Sequence, residues 1–139
     1  MEIINGNSFA TASYDTQTRM VYYEFVGVIS VPLGMETLRK VMLFAEQQPV
    51  RGIVSNLLKL HGTFTNVTSF FEKEYYPHMI KNGLQCTAIV VPNDVFTKYA
   101  VAELTKKVGH FQLHVFQEYK TAEGWVKETI ASAHASSGR

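Results

Sequence analysis

The spacing of apolar positions changes period along this chain, and each change predicts an element. "SFATASY" (8–14) reads as a weak strand and "DTQT" (15–18) as a turn. "RMVYYEFVG" (19–27) reads as a stronger strand, because Val, Tyr and Phe suit a pleated surface. These two strands are expected to pair as a hairpin. Within the second, Val21, Tyr23 and Phe25 share one face, and Met20, Tyr22, Glu24 and Val26 share the other. The period then lengthens. Leu38, Val41, Met42 and Ala45 fall at i, i+3, i+4 and i+7, which predicts a helix over "METLRKVMLFAEQQP" ended by Pro49.

"VRGIVSNLL" (50–58) is a short strand with two apolar faces. "NVTSFFEKEYYPHMIKNG" (66–83) predicts a helix with a break near Pro77 and a stop at Asn82 and Gly83. "CTAIVVP" (86–92) is the most uniformly apolar strand, expected inside a sheet covered on both faces. Asp94 is the expected N-cap of a helix over "VFTKYAVAELTKKVG", with Lys106, Lys107 and Gly109 at its end. "FQLHVF" (111–116) is a last strand, with Phe111, Leu113 and Val115 on one face. Thr121 is expected to cap a closing helix whose inward stripe is Ala122, Trp125, Val126, Thr129, Ile130 and Ala133.

The order is β-β-α-β-α-β-α-β-α. It predicts an α/β fold with a mixed, mostly parallel five-stranded sheet and four helices. The 139 residues suit one domain spanning 1–139, with a core over about 8–134 and a small polar tail at 135–139 that frays.

Composition narrows function by exclusion. Hydrophobic residues make up 46% and charged residues 18%, which is an ordinary globular balance. A net charge of +1 argues against nucleic acid as the main partner. No run approaches the roughly 20 apolar residues of a membrane span, and "MEIINGNSFA" shows no signal-peptide pattern. A single cysteine, Cys86, allows no internal disulfide, and a cytoplasmic location fits.

No catalytic set emerges, so the chain is not read as an enzyme, and no cofactor is expected. Cys86 sits in an apolar run and reads as a buried small hydrophobe. His110 and His114 are four apart in a strand, roughly 13 Å from each other, too far to share a metal. Glu24 reads as an edge residue facing water. Phe70, Phe71, Tyr75 and Tyr76 form two adjacent pairs that a regular helix cannot turn to one side, so one ring is expected at the surface, as at an interface.

The junction between Asn56 and Ser69 holds the strongest signal. It lies at the carboxyl end of an expected parallel strand and the start of the next helix, where open α/β sheets bind ligands. Thr63, Thr65, Asn66, Thr68 and Ser69 crowd there, with Asn56 and His61 nearby. Asn66 suits an N-cap, and "SFFE" (69–72) fits a capping box, which accounts for part of the crowd.

This element order, "GIVSNLLKL" (52–60) and "TAEGWVKETI" (121–130) together resemble the STAS domains, in particular small stand-alone bacterial STAS-like proteins and anti-sigma-factor antagonists. The resemblance covers about residues 8–134. It implies a regulatory domain that binds a protein partner and is switched by phosphorylation of a serine beside an aspartate. An ungapped reading from Ile53 puts Thr65 at the serine and Phe64 at the aspartate, so a hydroxyl is kept and the acid is lost. The implied contact and switch residues are Thr63, Thr65, Asn66, Ser69, Asn56 and His61. The partner is a protein, with a homodimer as one form. The alternative is a small anionic, nucleotide or lipid ligand at the same helix N-terminus.

Overall fold

The computed structural model describes residues 1–62, 68–93 and 111–137, with the side chains of Thr68 and of 134–137 excepted. The elements run β1 (Glu2–Gly6), β2 (Ala10–Asp15), β3 (Met20–Val28), α1 (Val31–Ala45), β4 (Gly52–His61), α2 (68–81), β5 (Cys86–Val90), β6 (Gln112–Phe116) and α3 (Tyr119–Ser137). The six strands form one sheet in the order β1-β2-β3-β4-β5-β6. β1, β2 and β3 pair antiparallel; β3 through β6 pair parallel. The α/β class and the mixed sheet are as the pattern predicts, but among the described residues the strands number six and not five. The additional one is β1, a polar edge strand whose residues are exposed or half-buried. Such a strand carries no apolar alternation to read. Three helices are present among the described residues; the helix expected over 95–109, its Asp94 cap and His110 lie outside them.

The faces of β3 divide as its alternation requires. Val21, Tyr23 and Phe25 join the core under α1 and α2, while Met20 and Tyr22 join the core under α3. Glu24 shares the α3 face and is exposed. β5 is buried at every position, between β4 and β6. The two layers differ in texture. Between α3 and the sheet, small residues (Gly52, Cys86, Ala88 and Ala122) sit beside Met20, Tyr22, Val54 and Val90. Beneath α1 and α2 they are large rings, including Phe9, Phe25, Phe70, Phe71, Tyr75 and Tyr76.

α1 begins earlier than its apolar stripe suggests. Ser30 is the N-cap, its Oγ accepting from the Leu33 N–H at 3.4 Å, and Pro32 follows in the first turn. That cap and proline are the usual opening of a helix. The closing helix likewise begins at Tyr119, so Thr121 lies inside its first turn and is not its cap. The inward stripe holds at Ala122 and Val126, fully buried, and at Trp125 and Ile130, packed beside them; Thr129 and Ala133 are half-buried.

α2 departs most from expectation. It is continuous, composed of Thr68–Phe70, a π turn at Phe71–Tyr75 and Tyr76–Lys81. The Tyr76 N–H donates to the Phe71 carbonyl, five residues back. Wider bonding brings residues five apart onto one side, and the two aromatic pairs converge. Phe70, Phe71, Tyr75 and Tyr76 are all buried, so no ring of this set is left at the surface as expected. The same turn absorbs Pro77. A proline inside an α-helix clashes with the carbonyl four residues back. Here it falls in the first turn of the α-helical segment Tyr76–Lys81, and the helix does not break. Asn82 and Gly83 end it as expected, with Gly83 at φ 110°.

Among the described residues no helix is long and apolar enough to cross a membrane.

Candidate functional site

The carboxyl ends of the parallel strands and the amino ends of α1 and α2 meet along one edge. β3 and β4 pair up to Val28 and His61, and the Ile29 N–H donates to the His61 carbonyl at 2.9 Å. Gly62 then turns the chain at φ 128°. A side chain there would meet Ile29 Cγ2 at 2.7 Å, so both backbone and space call for glycine. Val28 is 78% exposed at this edge and Val31, opening α1, is 41% exposed. His61 and Ser69 are exposed too. Ser69 stands two residues before Phe71, which lines a small cavity together with Ile29 and Val31.

The expected site residues therefore divide. His61 and Ser69 lie at the carboxyl edge. Thr63, Thr65 and Asn66 lie outside the described residues. Asn56 is elsewhere, on the α3 face of the sheet. It sits where β4 bulges, the register stepping from Glu24–Asn56 to Val26–Lys59, and its Oδ1 accepts from the Leu58 N–H at 3.0 Å. A side chain on that face cannot join Ser69 on the other.

Asn56 instead lines an open groove of about 290 Å3 with Thr11, Ser13, Tyr22, Glu24 and Tyr119. α3 packs over β4, β5 and β6, and the groove begins where that cover ends. Tyr22 donates its hydroxyl to Glu123 of α3 at 2.7 Å. Burial, then this carboxylate, pushes the Tyr22 phenol well above its ordinary range. Tyr119 is raised by burial and by the charges of Glu123 and Glu24. Tyr22 is a donor held by Glu123, and both phenols stay protonated at neutral pH.

A second polar cluster lies on the opposite face, inside the aromatic layer. The hydroxyls of Tyr23 and Tyr75 are 2.7 Å apart and fully enclosed. Desolvation raises both phenols, so both stay protonated. Thr87 Oγ1 donates to the Ile53 carbonyl at 3.3 Å, and Ser55 lines the same cavity. Neither cluster stood out in the sequence. The signal that marks the second is small: Ser55 and Thr87 are lone hydroxyls in the apolar runs "IVSNLL" and "CTAIVV".

The other candidates have structural occupations. Cys86 is buried against α3, and burial pushes its thiol up to about 12, far from thiolate chemistry. His114 stacks on Trp125 at 4.4 Å between ring centres. His78 Nε2 lies 2.9 Å from the Met42 carbonyl and 3.2 Å from Glu46, tying α2 to the end of α1. The chain matches no protein-family model and no curated protein.

Proposed function

We propose that this chain is a non-enzymatic, STAS-like regulatory domain that binds a protein partner through the junction of β4 and α2. The observation that carries this reading is the exposed apolar pair at the carboxyl edge, Val28 and Val31, beside the polar His61 and Ser69. Apolar groups ringed by polar ones suit protein contact. Phe70, Phe71, Tyr75 and Tyr76 all turn inward, and the cavity that Phe71 lines with Val31 at this edge is only about 30 Å3. The succession β3-α1-β4-α2-β5 in neighbouring parallel strands is consistent with the element order on which the resemblance rests. Thr65 is the switch position of this reading. A phosphate on Thr65 would add close to two negative charges to the segment between β4 and α2.

The test is a pull-down from the native cell with wild type, Thr65→Glu and Val28→Asp, each checked for folding by circular dichroism. The reading expects one partner held by wild type and lost by both variants. Identical partner lists for wild type and Thr65→Glu would sink the switch. Retention by Val28→Asp would move the contact away from this edge.

A further inference from the structure

The layer between the sheet and helices α1 and α2 contains two small cavities. One, of about 30 Å3, lies under the π turn among Tyr23, Ser55, Tyr75 and Thr87. The other, also about 30 Å3, lies under the first turns of α1 among Phe9, Ile29, Gly34 and Met35. Phe25, Leu38 and Phe71 line both, so one wall divides them. Phe25 belongs to β3 and Leu38 to the middle of α1, each on a regular element. Phe71 is different. It opens the π turn, where the bonding pattern of α2 changes, and turns of this kind recur at functional sites. Among the described residues its ring packs against Phe70, Tyr75 and Tyr76, all on the same helix, and not against a second element's ring.

The first cavity also has an unmatched donor. Two hydroxyls carry two hydrogens, and the single Tyr23–Tyr75 bond uses one of them. The second hydrogen has no acceptor among the described residues, although Tyr23 is 3% and Tyr75 2% exposed. Buried donors are almost always matched, and an unmatched one destabilises the fold.

We propose that the two cavities and the Phe71 ring between them form one binding site for a small aromatic or short acyl molecule bearing a single hydrogen-bond acceptor. With Phe71 swung outward, both cavities and the space of its ring become one chamber. An apolar cavity of about 150 Å3 is enough to hold benzene. The body of the ligand lies against Phe9, Phe25 and Leu38. Its acceptor takes the second hydroxyl hydrogen of the tyrosine pair. The second cavity is also lined by Ile29, Ser30 and Val31, so this site adjoins the proposed protein-contact edge, but its test uses the isolated protein and does not depend on that edge binding a partner.

Acetophenone and ethylbenzene test it, being alike in shape and different in one carbonyl. Each is titrated into wild type, Phe71→Ala and the Tyr23→Phe/Tyr75→Phe double variant, following the protein's methyl and aromatic NMR signals. Wild type is expected to bind both saturably, acetophenone about tenfold tighter, as one good hydrogen bond allows. Phe71→Ala binds both about tenfold tighter or more, because the open state no longer has to be populated first. The double variant binds the two equally; it loses both partners of the buried bond together, which keeps the fold intact. Where Phe71→Ala does not fold, Phe71→Leu gives the same comparison. Absence of saturable binding to wild type overturns the proposal even if Phe71→Ala binds, since the chamber would then be made by the truncation. Equal affinity of wild type for the two probes overturns the acceptor assignment.

Discussion

Cys86, Tyr23 and Tyr75 each place an ionisable group where its charged form has no solvation. The Cys86 thiol is pushed from its ordinary 9.0 up to about 12, and the buried phenols stand above 10.0. The sign follows from which state loses its proton first. Below pH 9 both folded and unfolded chains keep all these protons, and the contribution to stability is complete. Above pH 9 the unfolded thiol ionises while the folded one does not, so stability falls; the phenols add to the fall from pH 10. Each group contributes a slope of about 1.4 kcal/mol per pH unit. Urea denaturation between pH 8 and 11 should therefore show a decline that begins near 9 in wild type and near 10 in Cys86→Ala. An unchanged onset in the variant would mean that the thiol is not the first group to titrate.

At the scale of elements, the separation of α3 from the sheet is set by one missing side chain. A methyl on Gly52 would collide with Val126 Cγ1 and stand 2.7 Å from Ile130 Cδ1. Overpacking a filled core costs about 1–3 kcal/mol, and Gly52→Ala should lose that much in urea denaturation. Adding Val126→Ala should recover part of it, so the two changes together cost less than their sum. Simple additivity would show that the helix shifts freely and that Gly52 does not set the spacing.

Much at this scale was legible in the sequence. β3 could be divided into its two faces because its neighbours on both sides are apolar and its side chains alternate. The inward stripe of α3 was legible for the same reason at helical spacing. β1 was not, because an exposed edge strand has no apolar face to reveal it. The π turn was not, because an α-helix of 3.6 residues per turn is the ordinary expectation across "FFEKEYY"; the fact that four aromatics cannot fit one side at that period is itself the clue to a wider turn. Asn56 was grouped with the junction by closeness in the chain, but a bulge and the two-sidedness of a strand put it on the other face. The tyrosine pair joins residues 52 positions apart, which no local pattern records.

Across the whole molecule, the sheet has a firm middle and weak margins. β3 and β4 are each paired along both edges, whereas β1 pairs on one side only and slips register between Ile3 and Asn5. Amide hydrogen exchange should be slowest in β3, β4 and β5, and about tenfold or more faster in β1, in line with local opening at sheet margins. Equal protection in β1 and β4 would mean that the sheet opens only as one unit.

The strand order carries a consequence for how the chain is made. Strands adjacent in sequence are adjacent in the sheet throughout, from β1 to β6. Among the described strands, none has to be threaded between two already in place. As the polypeptide leaves the ribosome, each new strand finds its docking edge already formed by the one before it. The sheet can therefore grow in the direction of translation, and α3, which follows β6, covers the apolar face of Met20, Val54, Cys86 and Ala88.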